Sequence, residues 1–287
     1  MRPHKGNYMD GKTALIKARA KFSEFGMSST ARGRQKLAVS CVWIYRHGYT
    51  SPDLLNRLVT NSGHSGIVRK LEREGLVVKT YMEGGGLIRG VPRHVLTLTT
   101  AGVALAETMV SVALDYEQNP SRVVRRDTLR HDMLVQFLTY QALARGGISG
   151  YRSERELMAL NAEDVAARVS SYSVKVPDAL WEYADGTATA VELELSPKWG
   201  RKFDDFRLGL FSGMRSGRWH GANIFMESPA NHIRYVAGFA DGVRVPRWVL
   251  SPSRHWIQSG SPHAVTAAES RAVSVLLLDG GPGGHFA

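Results

Sequence analysis

Residues 176–198, VPDALWEYADGTATAVELELSPK, decide the fold of the second half of this chain. Two segments rich in Val, Leu and Thr flank Asp185-Gly186, a pair that favours a type I′ turn, so the stretch predicts a β-hairpin. Glu192 and Glu194 are two residues apart in the second strand and therefore share one face of the sheet. Asp178, in the preceding strand, can lie across the ladder from them. The hairpin thus predicts three carboxylates in one patch.

Carboxylates this close together repel one another, and a bound divalent cation is the usual remedy. Mg²⁺ takes oxygen ligands and needs only one or two carboxylates, because water and substrate phosphates complete its shell. We therefore expect Asp178, Glu192 and Glu194 to be metal ligands for Mg²⁺ or Mn²⁺. Two alternatives stay open: the acids face solvent on an exposed sheet, or they pair with arginines of a helix predicted at 199–215.

The segments around the hairpin alternate between helical and strand patterns, which is typical of an α/β domain. Helices are predicted for RDTLRHDMLVQFLTYQALARGG, KWGRKFDDFRLGLFSGM and NHIRYVAGFADG, and strands for GANIFMES, RWVLS and AVSVLLLD. YRSERELMAL predicts a strand or a strand–helix junction. We expect one mixed-sheet domain over residues 119–280 and a flexible tail at 281–287.

The net charge of +11 lies in the first third of the chain. Residues 1–100 carry 17 lysines and arginines against 6 acidic residues, whereas residues 101–287 carry 20 of each. Such asymmetry indicates a module that binds a polyanion, most commonly nucleic acid, attached to a neutral module with another task. A generally basic surface is the alternative.

Residues 32–118 predict a winged helix-turn-helix domain behind a flexible basic arm at 1–31. Helical patterns in RQKLAVSCVWIYRHG, SPDLLNRLV and HSGIVRKLEREG are followed by strand patterns in LVVKTYM and VPRHVLTLT, which flank the loop EGGGLIRG. A further helix is predicted in TAGVALAETMVSVAL. Ser51 is a good N-cap with Pro52 at the first helical position.

The third helix of this motif enters the major groove of DNA. Its apolar side chains Ile67, Val68 and Leu71 are expected to face the core. The residues expected to contact DNA are Ser65, Arg69, Lys70 and Arg73 on the helix and Lys79, Arg89 and Arg93 on the wing. A winged helix used for protein contacts is the alternative.

Pro177-Asp178, with Glu192 fourteen residues after the aspartate and then Glu194, resembles the PD-(D/E)xK signature of restriction-endonuclease-like nucleases. The resemblance implies that the aspartate and the first glutamate hold a metal. The third position, usually lysine, is Glu194 here, and some members of that superfamily cleave with glutamate there. Lys175 and Lys198 can supply positive charge, but neither occupies the motif position.

A wider resemblance covers most of the chain. A winged helix followed by LRHDMLV, SEREL, VPDALW and AVELELSPK is similar to the replication-relaxation family of plasmid and integrative-element proteins, which is related to MobC-type relaxases. The resemblance implies a protein that binds an origin of transfer or replication and nicks or relaxes one strand. It also implies catalytic roles for Asp178, Glu192, Glu194, Glu154, His131 and Asp132, although the last two can equally cap or brace the sheet.

The expected chemistry is metal-assisted phosphodiester hydrolysis, in which bound ions polarise the phosphate and lower the pKa of a water. Covalent catalysis by Tyr172 or Tyr183 is a rival, although no paired-histidine motif is present. A DNA-binding accessory factor or regulator with a degenerate nuclease fold is a further alternative, and a transposition-type endonuclease subunit is another.

The cysteine count and the length of the apolar runs limit the compartment and the kinds of site that are expected. Cys41 is the single cysteine, which excludes an internal disulfide and a cysteine-rich zinc site and suits the cytoplasm. No apolar run of 18 residues occurs, so no membrane contact is expected. The expected partners are double-stranded DNA, single-stranded DNA after nicking and other relaxosome or transfer proteins. Winged helices often bind symmetric duplexes as dimers, so a homodimer stays open.

Overall fold

A computed structural model describes residues 28–60, 66–119, 122, 124–167 and 175–278. The chain divides into two compact units between Gly150 and Tyr151, each with its own core. The predicted arm at 1–31 lies outside the described residues except for its last four positions, and the predicted tail at 281–287 lies wholly outside them. Both units mix helices and strands, so the predicted α/β (α+β) class is confirmed.

The first unit begins with three helices, a two-stranded hairpin and a fourth helix, in the predicted order. The helices are α1 (Ser29–His47), α2 (Pro52–Thr60), α3 (Ile67–Arg73) and α4 (Thr100–Glu107), and the hairpin strands are β1 (Val77–Tyr81) and β2 (His94–Leu98). The strands pair antiparallel, with Val77 opposite Leu98. The backbone of Thr50 also pairs with Leu96 and extends the small sheet.

Local sequence signals begin and end these helices. Ser51 accepts a hydrogen bond from the Leu54 backbone N–H at 3.1 Å, so the predicted N-cap is confirmed. Ser28 caps α1 by accepting from the Ala31 N–H, and the helix therefore begins five residues before the predicted start at residue 34. Gly75 follows α3 with a φ of 66°, a conformation that glycine adopts without strain.

A longer helix, α5 (Leu129–Ala144), belongs to the first unit. Its residues Leu129 and Met133 lie in a core cluster with Tyr49, Met82 and Val95. This segment is predicted from the sequence to belong to the second domain, which begins at residue 119 in that prediction. The difference arises because the apolar face of α5 is covered by the helices and hairpin that precede it in the chain.

The second unit is built on a five-stranded mixed sheet in the order β11-β6-β5-β4-β3. Its strands are β3 (Gly150–Ser153), β4 (Ala179–Glu182), β5 (Ala188–Glu194), β6 (Gly221–Met226) and β11 (Val273–Leu277). Strand β5 runs antiparallel to β4 and parallel to β6, and β6 runs parallel to β11. The predicted hairpin is therefore the centre of a mixed sheet.

Helices and short strands surround this sheet. The helices are α6 (Glu154–Ala167), α7 (Gly200–Arg215), α8 (Pro229–Gly238) and α9 (Ala267–Ala272), and the short strands are β7 (Arg244–Val245), β8 (Trp248–Leu250), β9 (Trp256–Gln258) and β10 (His263–Ala264). The segment YRSERELMAL is thus a strand followed by a helix, which confirms the second of the two structures predicted for it. The short strands β7, β9 and β10 and helix α9 were not predicted.

Helix α7 covers one face of the sheet and forms the core there. Phe203, Phe206 and Phe211 of α7 pack with Ala190 and Ile224 of the sheet. Close approach is possible because helix glycines leave room: a methyl group on Gly213 would lie 1.8 Å from the Trp219 ring. The aromatic face of α7 therefore fixes the distance between this helix and strand β5.

The turn between β4 and β5 differs from the predicted type I′ turn. Gly186 has a φ of 82°, but Asp185 does not share the positive φ that a type I′ turn requires. The Gly186 N–H donates to the Tyr183 carbonyl, and the loop closes with a bond from the Tyr183 N–H to the Thr187 carbonyl. Asp185 instead accepts a hydrogen bond from the Thr187 N–H, which holds the longer loop.

Within the residues that the structure describes, none of the helices has both the length and the apolar character that a membrane crossing requires.

Candidate functional site

The sheet pairing puts the three predicted acids beside one another. Ala179 pairs with Val191, so Asp178, one residue earlier, reaches the position opposite Glu192. The backbone N–H of Leu193 donates to an Asp178 carboxylate oxygen at 2.7 Å and holds that side chain at the edge of the ladder. Glu192 and Glu194 project from the same face of β5.

That face is the one covered by helix α7, because Ala190 on the same face belongs to the α7 core. Glu192 is 1% exposed and Glu194 is 5% exposed. The first alternative considered above, a solvent-facing patch, is therefore wrong for both glutamates. Buried carboxylates require a partner, since removing a charge from water is costly.

Two lysines provide the partners. Lys175 Nζ donates to Glu192 Oε2 at 2.5 Å, and Lys198 Nζ contacts Glu194 Oε1. The second alternative, in which arginines of α7 pair with the glutamates, is therefore wrong, because the paired side chains are lysines. Both ammonium groups lie against the ring of Phe206, at 5.3 and 4.6 Å from its centroid. We call Lys175, Asp178, Glu192, Glu194 and Lys198 the carboxylate–lysine cluster.

Backbone packing positions each lysine. Gly209 of α7 lets residue 175 approach, because a methyl group at 209 would lie 2.9 Å from the β-carbon of Lys175. Lys198 is fixed through its backbone N–H, which donates to the Tyr235 hydroxyl at 3.1 Å. Burial raises the pKa of Tyr235 to about 12, so this hydroxyl is neutral and serves as an acceptor. Lys175 reaches Glu192 through a tertiary contact, whereas Lys198 lies only four residues after Glu194.

The proximity of these groups alters their acidity. Burial and the Asp178 carboxylate raise the pKa of Glu192 to about 8, although Lys175 opposes the rise. Burial also raises the pKa of Glu194, and Lys198 offsets part of this effect. Burial lowers the pKa of Lys175, but the surrounding carboxylates more than compensate and raise it overall. Glu192 therefore exchanges its proton close to neutral pH, where acid–base groups are most useful.

The fit of a divalent cation depends on the oxygens that are still available. Glu192 Oε1 is buried and has no hydrogen-bond partner among the described residues. The carboxylate of Asp178 lies close enough to raise the pKa of Glu192. Oxygen donors of this kind suit Mg²⁺ or Mn²⁺. However, within the described part of the chain no three His, Cys, Asp or Glu side chains are arranged as ready metal ligands.

Glu154 begins helix α6 and is exposed. The buried acid of the SEREL motif is Glu156, which accepts hydrogen bonds from the backbone N–H and hydroxyl of Ser153 at 2.9 and 3.2 Å. The Ser153 hydroxyl in turn accepts from the Glu156 N–H, so the two residues form a capping box. The motif is accounted for by helix initiation, and Glu154 stays only a prediction as a catalytic residue.

His131 and Asp132 lie on α5 in the first unit. Asp132 accepts hydrogen bonds from the hydroxyls of Tyr49 at 2.6 Å and Thr128 at 3.0 Å, and His131 Nδ1 lies 3.3 Å from its other oxygen. Burial, and next the Asp132 charge, raise the pKa of Tyr49 well above its ordinary value. These contacts brace the beginning of α5 and not the five-stranded sheet, and we leave both residues out of the proposed site.

Most of the predicted DNA-contacting residues that the structure describes are exposed, and one is half-buried. Ile67, Val68 and Leu71 are buried, whereas Arg69 and Arg73 are exposed on the other side of α3. Lys70 is half-buried, and its ammonium would lie 3.0 Å from a methyl group on Gly33 of α1. Lys79, Arg89 and Arg93 are exposed on and beside the hairpin. Ser65 and Tyr172 lie outside the described residues.

Comparison of the chain with models of known families, with curated proteins and with solved structures found no match.

Proposed function

We propose that this chain is a DNA-binding protein of a plasmid or integrative element that nicks one strand at an origin of transfer or replication by metal-dependent phosphodiester hydrolysis. The observation that supports the proposal most is the carboxylate–lysine cluster. It brings two glutamates on one face of β5 together with Asp178 and two lysines, and Glu192 is 1% exposed.

A cluster of this kind is poorly explained by stability alone. Replacing a buried ion pair by apolar residues of similar volume is often neutral or stabilising, so buried pairs are weak evidence for a stabilising role. Here, two such pairs lie beside a third acid, against a core that is otherwise apolar. Strongly shifted pKa values of this origin are typical of functional sites.

The donor set supports a divalent cation as the cofactor. Asp178 and Glu192 would hold Mg²⁺ or Mn²⁺, and the unpartnered oxygen Oε1 of Glu192 is the donor that has no other use in the described structure. When bound, such an ion polarises a phosphate oxygen and lowers the pKa of water. Glu192 must release its proton to serve as a ligand, so cation binding is expected to strengthen as the pH rises towards 8.

The remaining groups of the cluster act on the substrate and the water. Glu194 accepts hydrogen bonds and can orient an attacking water. Lys198, which contacts Glu194, supplies the positive charge that the motif position lacks and can neutralise charge developing on the phosphate. Phe206 lies under both lysines and restricts where their ammonium groups can move.

The first unit would direct the cut. Arg69 and Arg73 are exposed along α3, the third helix of the unit, and a helix in this order is the one that enters the major groove in a winged helix-turn-helix. Lys79 and Arg93 are exposed on the hairpin side, where they can contact phosphates. The net charge of +11 over residues 1–100 supports duplex DNA as the ligand.

One observation favours a second candidate, a DNA-binding accessory factor or regulator without catalysis. Both glutamates of the cluster are already paired with lysines, and a cation would have to displace or share those contacts. In this reading the cluster is only a remnant of a nuclease site.

The test uses supercoiled plasmid that carries the origin selected by binding to the full-length protein. We expect wild type to convert it to the nicked form with Mg²⁺ or Mn²⁺, and Asp178→Ala and Glu192→Ala to lose this activity while still binding the origin. Glu182→Ala is the matched control: Glu182 lies on β4 and is paired with Arg152 at the surface, so nicking is expected to persist.

Wild-type protein that binds the origin but leaves it closed with every divalent metal would contradict the hydrolytic proposal and favour the second candidate. Nicking that survives in both Asp178→Ala and Glu192→Ala would contradict the assignment of the site.

A further inference from the structure

Two exposed tryptophans of the second unit each carry an arginine against the ring. The Arg234 guanidinium lies 3.5 Å from the Trp199 ring centroid, and that of Arg201 lies 3.9 Å from the Trp256 centroid. The two tryptophans are 63% and 48% exposed. Each guanidinium covers one face of a ring that solvent still reaches.

The other tryptophans of this unit have structural roles. Trp181 and Trp219 are buried, and Trp248 donates its indole N–H to Asp204 at 2.9 Å. Exposure of Trp199 and Trp256 is therefore not a general property of tryptophan in this unit. Tryptophan side chains are enriched at binding interfaces.

Both pairs lie at the beginning of α7, next to the carboxylate–lysine cluster. Trp199 is the N-cap residue of α7 and follows Lys198 of the cluster directly. Arg201 is in the first turn of the same helix and also pairs with Asp205 at 2.6 Å. A polymer bound across these rings would therefore pass the residue that directly follows Lys198 of the cluster.

Arg234 has donors that the described residues do not use. Its Nε and Nη2 atoms are buried without a hydrogen-bond partner in the described part of the chain. Arg207 donates to Asp204 and to the Gly238 carbonyl at 2.5 and 2.7 Å, and only its Nε lacks a partner among the described residues. Unmet buried donors are unfavourable, so this guanidinium would gain from an acceptor once a ligand displaces the groups that cover it. A phosphate is the acceptor that a guanidinium fork fits best.

We infer that Trp199, Arg234, Arg201 and Trp256 form a binding surface for single-stranded DNA. Bases stack on the open faces of the two rings, and the guanidinium groups bind the phosphates. Every base has a stacking face, so such a surface tolerates any sequence. The inference rests on the proposed function for its ligand, because nicking is what exposes a single strand beside the cluster.

The experiment measures binding of full-length protein to a labelled oligothymidine in EDTA, where no cleavage can occur. Excess unlabelled duplex occupies the basic first unit. Trp199→Ala and Trp256→Ala are each expected to weaken binding by roughly tenfold. Trp199→Phe is expected to recover most of the loss, since it restores a stacking face. Ile233→Ala is the matched control, because Ile233 is 70% exposed and adjacent to Arg234, and it should bind as wild type does.

Wild-type affinity in both alanine variants would overturn the inference, as would tighter binding of oligouridine than of oligothymidine. The outcome is separable from the plasmid assay. If binding depends on the tryptophans but the protein never nicks the plasmid, only the hydrolytic proposal is contradicted. Nicking without tryptophan-dependent binding would sink only this surface.

Discussion

The two charged regions of this chain differ in the solvent exposure of their charged side chains. In the first unit, Arg69 and Arg73 extend into solvent. In the second unit, Glu192 and Glu194 are buried against an aromatic helix and are paired with lysines. An exposed charged side chain costs little folding free energy and is visible in the net charge of the sequence. A buried charged side chain costs folding free energy and is typically found at a functional site. Removing charge from the two regions should therefore have effects of very different size.

The largest effect is expected for the buried pair. Lys175→Met removes the cation beside Glu192, whose side chain is 2% exposed, and we expect it to lower the free energy of unfolding by about 3–5 kcal/mol at pH 9. The double variant with Glu192→Leu removes both charges and should recover most of that loss in urea unfolding. Equal stability of Lys175→Met and wild type would mean that the pair is not desolvated.

The second prediction concerns the pH dependence of the free energy of unfolding. The unfolded chain releases the Glu192 proton near its ordinary pKa of 4.5, whereas the folded chain holds it to about pH 8. The folded state therefore binds more protons between these values, and its stability falls as the pH rises. The raised pKa of Lys175 acts only above 10.5 and does not enter this window.

The comparison for this prediction is Glu192→Gln. Between pH 5 and pH 8 we expect wild type to lose roughly 2–4 kcal/mol relative to the variant, measured by urea unfolding at each pH. Other titrating groups are shared by the two proteins and cancel. Parallel stability curves would contradict the raised pKa.

The surface region predicts a smaller and different effect. Arg69→Ala and Arg73→Ala should leave thermal unfolding unchanged and weaken duplex binding by about 1–3 kcal/mol if they contact base edges. If they contact phosphates, the salt dependence should fall by about one unit of slope for each. Arg145→Ala, at the exposed end of α5, is the control and should bind normally. Loss of binding in the control alone would reassign the DNA surface.

The smallest stability effect is expected for Gly209→Ala. Alanine favours a helix over glycine by about 1 kcal/mol, and its methyl group would lie 2.9 Å from the Lys175 β-carbon. We expect these terms to offset within about 1 kcal/mol while nicking slows, because Lys175 is displaced. Gly217→Ala is a useful contrast, since a φ of 72° makes that site strained while nothing lies near the added methyl group. Unaltered nicking by Gly209→Ala would show that the position of Lys175 is unimportant.

Much of the fold was accessible from sequence because its signals are local. The N-cap at Ser51 and the strands around Asp185-Gly186 follow from short patterns. The turn type was missed because the side chain of Asp185 bonds to Thr187, which stabilises a longer loop. The unit to which α5 belongs could not be predicted from sequence, because its apolar face could pack in either unit and only the tertiary contacts place it in the first.

The same distinction applies to the site. Two glutamates spaced by two residues on a strand must share a face, so their proximity could be predicted. The contact of Lys175 with Glu192 could not, because it depends on the approach of residue 175 to Gly209 of α7. The only sequence signal was the presence of both lysines close to the acids.

The most direct test of the account is a Mn²⁺ titration of full-length protein, followed by calorimetry and by electron paramagnetic resonance of the free ion. The account predicts binding that is lost in Asp178→Ala and Glu192→Ala, kept in Glu182→Ala, and accompanied at pH 7 by release of the proton that Glu192 otherwise holds. Mn²⁺ that stays free in solution with wild-type protein at pH 8, or that binds all these variants alike, would contradict it.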